Sequence, residues 1–151
     1  MSTLTVIKTT EVEDYVLQLA DRLEAQYKEY TLRSLEKYNS DYSNKQIESI
    51  KNGTANLMRF VVTKGRKYFK ICSHEYDTFQ DRNEYKEGSV NCFVNKNTGE
   101  VYKPASYNAP HTKHVRYNLL DEDSRADCLL RADWAGGYFY IRWLILLLSY
   151  S

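Results

Sequence analysis

The stretch that most constrains the fold of this chain spans residues 88–118. Apolar side chains alternate with polar or aromatic ones along residues 89–95, which is the two-residue period of a half-buried strand. Gly99 then supplies the positive φ that a tight turn needs. Residues 100–103 return as the partner strand, and Pro104 ends that strand because proline cannot donate to the ladder. The stretch therefore predicts a β-hairpin.

Strict alternation also assigns the faces of the first strand of this hairpin. Val90, Cys92 and Val94 fall on one face, and Asn91 and Phe93 fall on the other. Only one of these faces is expected to be buried.

A second hairpin is predicted upstream. Two β-prone runs, residues 60–63 and 67–72, flank the glycine-containing turn Lys64-Gly65-Arg66. Together the two hairpins indicate an antiparallel sheet of about three to five strands.

Helical signals precede the sheet. Thr10-Glu11-Val12-Glu13 has the pattern of a capping box, and apolar side chains follow at helical spacing, so a long helix is expected over about residues 11–38. A second capping box at residues 43–46 predicts a short helix that Asn52-Gly53 closes.

The remaining segments are predicted less directly. The charge-rich residues 74–87 show no steady period and are expected to form a loop, which has room for a helical turn. A third helix is expected to start at residues 124–127, after an acidic approach at 121–123, with Leu129 and Leu130 inward and Gly136-Gly137 stopping it. Residues 138–141 are a candidate strand. The apolar run 144–148 is either part of the core or an interface.

These elements predict an α+β fold: an antiparallel sheet of hairpins with the long N-terminal helix packed on one face. The helix has an apolar stripe and the sheet an apolar face, so each buries the other. At 151 residues, the chain is expected to be a single domain, residues 1–151.

Composition narrows the function classes. The net charge of +1 gives no overall field that favours nucleic acid or a membrane. The three cysteines form no CxxC pair, which favours reduced thiols in a reducing compartment. Residues 1–10 lack the apolar region of a signal peptide, so a soluble cytoplasmic protein is expected. The 14 tyrosines suit core packing better than a contact surface, although they can form either.

No catalytic or cofactor-binding motif is recognisable, so we expect neither an enzyme nor a cofactor. Cys72 and His74 have the residue types of a nucleophile and its base, but nothing in the sequence orients the histidine. His111 and His114 lie three apart, yet they match no ligand spacing of a zinc site, so no metal is expected.

The best candidate for a binding site is segment 103–116, which interleaves cations with aromatic rings. Cations hold phosphates and aromatic faces stack on bases, so this mixture suits single-stranded nucleic acid. It also suits a solvated loop that covers the sheet, and the low net charge favours the latter. The candidate residues are Lys103, Tyr107, His111, Lys113, His114 and Arg116.

Residues 93–119 resemble a group of small uncharacterised phage-encoded proteins. The resemblance lies in Thr98-Gly99, Val101-Tyr102-Lys103-Pro104-Ala105, Pro110 and Arg116-Tyr117-Asn118. Tyr107 stands where that group would have Trp, and His111 where it would have Ala. The resemblance implies a viral or virus-like origin and a host-cytoplasm setting, and it implies no catalytic residue.

The sequence therefore favours a non-enzymatic accessory or interaction protein over a weak, sequence-tolerant binder of single-stranded nucleic acid. The long helix and the apolar run 144–148 offer more apolar surface than one small sheet needs, which favours a homo-oligomer. A protein partner is also compatible with this surface, whereas a membrane is not expected because the run is too short to span one.

Overall fold

The computed structural model describes residues 3–140, and their side chains from residue 10 onward. Within these residues, the main helices and strands follow one another in a fixed order. They are α1 (Thr3–Glu36), α2 (Asp41–Lys51), β1 (Arg59–Lys64), β2 (Tyr68–Asp77), β3 (Glu84–Asn95), β4 (Glu100–Tyr102), β5 (Tyr117–Asn118) and α3 (Glu122–Arg131). The strands form one sheet in sequence order, and every neighbouring pair is antiparallel.

The predicted α+β architecture is confirmed. One stripe of α1 is fully buried and packs with the apolar face of the sheet in a single core cluster. The stripe follows the 3.6-residue period of a helix. The sheet contributes alternate residues of its central strands, because successive side chains of a strand point to opposite faces. The stripe comprises Val12, Val16, Leu19 and Leu23, and the sheet contributes Phe60, Phe69, Ile71, Cys92, Val94, Val101 and Tyr117.

Both predicted hairpins are present. Gly99 has a φ of 74°, which is the left-handed conformation that the turn between β3 and β4 needs. The turn between β1 and β2 is closed by Gly65, whose amide donates to the carbonyl of Tyr68 at 2.9 Å.

The predicted start of α1 was wrong. The helix begins at Thr3, and Thr10 lies inside it. A capping box is a local preference, and residues 4–9 contain no glycine or proline that would stop the helix from extending through it.

The predicted starts of α2 and α3 also needed correction. The α2 cap is Ser40, whose hydroxyl accepts from the amide of Ser43, so the capping box lies three residues earlier than predicted. Asp121 caps α3 by accepting from the amide of Ser124, which confirms the role of the acidic approach. The predicted end at Gly136-Gly137 was wrong because α3 ends at Arg131.

The inward assignment of Leu130 was wrong as well, because this side chain is 76% exposed. The ten-residue helix α3 presents one narrow stripe to the core, and Cys128 occupies it. Leu130 lies two residues further on, which on a helix is the opposite side.

The predicted loop 74–87 is confirmed only at its centre, where residues 78–83 connect two strands and include a helical turn at Phe79–Asp81. The flanking residues instead form the outer part of the β2–β3 hairpin, where Glu75 pairs with Lys86, Tyr76 with Tyr85, and Asp77 with Glu84. Most of these side chains are solvated on both sides, so the segment lacks the apolar alternation that marks a half-buried strand.

A bulge corrects the predicted faces of β3. Ile71 pairs with Cys92 and Cys72 pairs with Val90, so Asn91 has no partner of its own on β2. A bulge turns the extra side chain out of strict alternation. Asn91 is consequently buried, where its side-chain oxygen accepts from the hydroxyl of Tyr138 at 2.6 Å. Phe93 is buried too, so both faces of the sheet are covered.

Residues 138–140 are helical and not the predicted strand. Tyr138 and Phe139 are buried in the core, and the hydroxyl of Tyr117 donates to the carbonyl of Tyr138 at 2.7 Å. The segment is apolar because these side chains pack in the core and not because it pairs as a strand. The predicted apolar element at 144–148 lies outside the described residues. None of the described helices is both long and apolar enough to cross a membrane.

Candidate binding site

The sheet face opposite α1, which we call the outer face, carries a second set of buried side chains. Lys70 pairs with Phe93 and Phe93 with Tyr102, so these three residues lie side by side on this face. Cys72, Phe93 and Tyr102 are buried there although they do not belong to the core under α1. The outer face is therefore covered by something other than a helix.

A closed loop formed by residues 104–110 borders this face. Pro104 and Pro110 form an isolated antiparallel bridge at its base. The amides of Ala105 and Ser106 both donate to the carbonyl of Ala109, at 2.9 and 3.1 Å. Just outside the bridge, the amide of His111 donates to the carbonyl of Lys103 at 2.8 Å. Residues 105–109 are all exposed, so the loop presents a fixed backbone to solvent.

Tyr107, at the tip of the loop, is held against the sheet by Lys70. The ammonium of Lys70 lies 3.8 Å from the centre of the Tyr107 ring and donates to its carbonyl oxygen at 3.3 Å. Such a cation–π contact is worth about 0.5–1 kcal/mol at an exposed position. Since 46% of Tyr107 remains exposed, the ring is anchored and still accessible to a ligand.

Glu87 connects Tyr107 with Cys72. Its hydrogen bond to the Tyr107 hydroxyl raises the pKa of Tyr107 to about 12 and is the largest cause of the lowered pKa of Glu87. Burial, followed by a hydrogen bond to Glu87, raises the pKa of the Cys72 thiol to about 11. The phenol and the thiol therefore stay protonated at neutral pH.

Four of the six residues predicted for the site separate into two groups. Tyr107 lies at the exposed tip of the loop, and the side chain of Lys113 is exposed as well. Lys103 and Arg116 instead contact the helical residues 138–140: the ammonium of Lys103 donates to the Tyr140 hydroxyl at 3.2 Å, and a guanidinium nitrogen of Arg116 donates to the carbonyl of Phe139 at 3.3 Å.

The placement of Arg116 and of the two histidines favours a structural role for them. Arg116 is only 6% exposed. The rings of His111 and His114 stack with their centres 6.4 Å apart. Burial, followed by the charges of Arg116 and Lys113, lowers the pKa of His114. His114 is therefore neutral near pH 7 and does not add a cation to the segment.

Sequence reasoning missed the residues that the first hairpin contributes. A pocket of about 270 Å³ lies beside the loop, between Asn108 and the β1–β2 turn. Its cations are Lys64, Arg66, Lys67 and Lys70. The signal is the density of cations in residues 64–70, a stretch whose pattern by itself predicts only a turn and a strand.

The cysteines offer no activated thiolate. All three are buried and unpaired. Burial raises the pKa of Cys92 to about 12 and raises that of Cys128 well above its usual value. Within residues 3–140, no group of three or more His, Cys, Asp or Glu side chains is placed to hold a metal ion.

A family model described as a family of unknown function (DUF7717) matches residues 3–141. Because this match covers most of the chain, the chain belongs to that family. No curated protein and no solved structure matches it.

Proposed function

We propose that this member of the family acts by binding and not by catalysis. The observation that carries the proposal is the closed loop 104–110, which holds exposed side chains on a backbone tied down by its own hydrogen bonds. A contact surface of this kind loses little conformational entropy when it binds, because its conformation is already fixed. It therefore suits recognition of a partner.

The state of the reactive groups supports a role without catalysis. A cysteine nucleophile needs a lowered pKa, whereas the pKa of Cys72 is raised to about 11. Although Cys72 and His74 both lie in β2, burial and then the nearby carboxylate of Glu87 favour the protonated form of the thiol.

Thiol labelling tests this proposal. We expect a maleimide or aromatic disulfide reagent at neutral pH to modify the native protein at least about tenfold more slowly than the urea-unfolded protein, since thiolate is the reactive form. Cys72→Ala identifies the contribution of the thiol nearest the loop. Rapid labelling of native Cys72 would contradict the proposal and would point to an activated nucleophile.

We further propose that one partner is a second copy of this chain. Tyr38 and Tyr42, at the corner between α1 and α2, are 76% and 71% exposed. Beyond Tyr27, which packs against the core, no side chain of α1 is buried, so the last turns of this helix extend past the core. Exposed tyrosines provide large contact area at low entropic cost and are typical of interfaces.

Light scattering at several protein concentrations tests self-association. We expect about twice the 17.8 kDa mass of one chain, and a return to one chain's mass for Tyr38→Ala with Tyr42→Ala. Phe79→Ala is the matched control, because it removes an aromatic ring that is 65% exposed on the β2–β3 hairpin. One chain's mass at every concentration would exclude the dimer.

The resemblance of residues 93–119 to phage-encoded proteins leads us to place the chain among phage-type accessory proteins that act in the host cytoplasm. The residues that carry this resemblance include the β3–β4 turn at Gly99 and both prolines of the loop, Pro104 and Pro110. Detection of the gene within a phage genome would support this placement, and a host housekeeping context would contradict it.

Single-stranded nucleic acid is a second candidate ligand, and the half-exposed ring of Tyr107 favours it. Base stacking on such a ring is worth about 1–3 kcal/mol per base. Lys113, and Lys103 if its contact with Tyr140 opens, would supply the phosphate contacts. Arg116 is less suited to this role than predicted, since it is buried against Phe139.

Fluorescence anisotropy with a short labelled strand at low salt tests this candidate. We expect weak binding whose salt slope falls by about 0.7 for Lys113→Ala, as one phosphate contact is lost. Tyr107→Ala should lower the affinity and leave the slope unchanged. No binding at about 50 μM protein, a concentration that detects a free energy of roughly −6 kcal/mol, would exclude nucleic acid and leave the interaction role in place.

A further inference from the structure

The pocket beside loop 104–110 has a one-sided charge. Its lining includes Lys64, Arg66, Lys67 and Lys70 and no carboxylate. Glu13 approaches Lys64 at 3.7 Å, and the charge of Lys70 acts on the carboxylate of Glu87. Within the described residues, no carboxylate forms an ion pair with Arg66 or Lys67. In a chain whose net charge is +1, this is a local concentration of positive charge that an anion would relieve.

The fold itself brings these cations together. The β1–β2 turn is tight: a Cβ atom at Gly65 would lie 3.0 Å from the carbonyl oxygen of Tyr68, so the turn residues lie close to the start of β2. Lys70 projects from the outer face of β2, and its contacts with Tyr107 fix its ammonium at the side of the pocket nearest the loop.

Aromatic rings line the same pocket. Tyr68 meets Phe93 and Tyr102 edge to face, with ring centres 6.1 and 6.3 Å apart. Phe93 is buried, while Tyr68 is partly exposed beside the ammonium of Lys67. Asn108, from the loop, adds an amide that can donate and accept hydrogen bonds.

We propose that this pocket binds a nucleoside phosphate, with the cations of the β1–β2 turn on the phosphate and the Tyr68 ring against the base. Cations with an aromatic surface are the combination that phosphate and base recognition use. A pocket of about 270 Å³ admits one nucleotide unit, which comes either as a free nucleotide or as part of a strand. The site shares only the loop with the residues considered above for nucleic acid, so the two ideas can fail separately.

Isothermal titration calorimetry of the full chain tests the proposal, in low salt with a chelator present. The probes are ADP, adenosine and a short single strand. We expect ADP to bind and adenosine to bind at least about tenfold more weakly, because charge-assisted hydrogen bonds supply most of the affinity. Arg66→Ala with Lys67→Ala should weaken ADP binding by at least about tenfold. Lys45→Ala, which removes an exposed cation of α2 outside the pocket, should change it less than about twofold.

The same titrations separate the two sources of phosphate. If only the nucleic-acid strand binds, and the Arg66 and Lys67 double variant weakens that binding, the pocket is assigned to a nucleic-acid strand. Binding of ADP, weakened by the same variant, assigns it to a free nucleotide. The proposal is overturned if neither ligand binds at millimolar concentration, or if the double variant, folded with an unchanged melting temperature, binds as well as the original chain.

Discussion

The two faces of the sheet are both covered, but by different means. On the face toward α1, side chains such as Phe69 and Ile71 are fully buried under one helical stripe. On the outer face, buried Cys72 and Phe93 lie among polar and charged groups and beside a closed loop. The free energy gained by burying apolar surface grows with the buried area and stabilises the fold. A loop held by a few hydrogen bonds and single cations adds little stability, but it exposes specific side chains to a ligand. The comparison supports our proposal that the first face provides stability and that the second face serves recognition.

The largest expected effect contrasts neighbouring residues of β2 that point to opposite faces. Phe69→Ala removes a fully buried ring from the core and should lower the free energy of unfolding by about 3–5 kcal/mol. Tyr68→Ala, on the outer face, should cost about 1 kcal/mol, since its ring makes only edge contacts and is partly solvated. Urea unfolding measures both. Equal losses would remove the distinction between the faces.

A smaller effect is expected from the hydrogen bond that the bulge creates. Tyr138→Phe leaves the buried side-chain oxygen of Asn91 without the hydroxyl that donates to it at 2.6 Å, and should cost about 1–3 kcal/mol. Tyr140→Phe is the control, because its hydroxyl lies on the surface, and should change stability by less than about 0.5 kcal/mol. A neutral Tyr138→Phe would mean that water satisfies Asn91 instead.

The core should also confer sensitivity to alkali. Burial raises the pKa of Cys92 from 9.0 to about 12, so between these values the folded state keeps a proton that the unfolded state releases. The contribution of this group to the free energy of unfolding is therefore fully present below about pH 9. Above that pH it falls by about 1.4 kcal/mol per pH unit. Urea midpoints at about pH 8, 9 and 10 measure the slope, and Cys92→Ala should make it shallower. An unchanged slope would mean that other buried groups, such as Tyr138, cause the loss of stability at high pH.

The smallest expected effect lies on the outer face. Lys70→Met removes the ammonium over Tyr107 and should cost less than about 1 kcal/mol, the usual value of an exposed cation–π contact. Its main consequence should be a less ordered Tyr107 ring, visible as exchange broadening of that side chain in NMR spectra. A loss comparable with that of Phe69→Ala would show that the outer face also supports the fold.

Much of the inner face could be predicted from the sequence, because a helical stripe and a strand period are both local signals. The stripe from Val12 to Leu23 and the turn at Gly99 follow from periodicity and from the conformational freedom of glycine. The buried position of Asn91 could not be predicted, since the bulge that turns it inward depends on the register with β2.

The candidate site was only partly predictable for a related reason. Tyr107 was identified from the mixture of residues around it, but its partners Lys70 and Glu87 come from strands that only folding brings beside the loop. Arg116 has the residue type of a phosphate ligand, yet tertiary packing places it against Phe139. Composition can indicate what a segment could bind, whereas its contacts decide which side chains remain accessible.

Amide hydrogen exchange of loop 104–110 tests the central claim most directly, namely that the outer face presents a fixed contact surface. The informative amides are those of Ala105, Ser106 and His111, all of which donate to backbone carbonyls within or beside the loop. We expect them to exchange at least about tenfold more slowly than the unstructured-chain rate, as hydrogen-bonded amides of a fixed loop do. Exchange at the unstructured-chain rate would mean that the loop is open in solution, and it would contradict the claim that this surface is preorganised for binding.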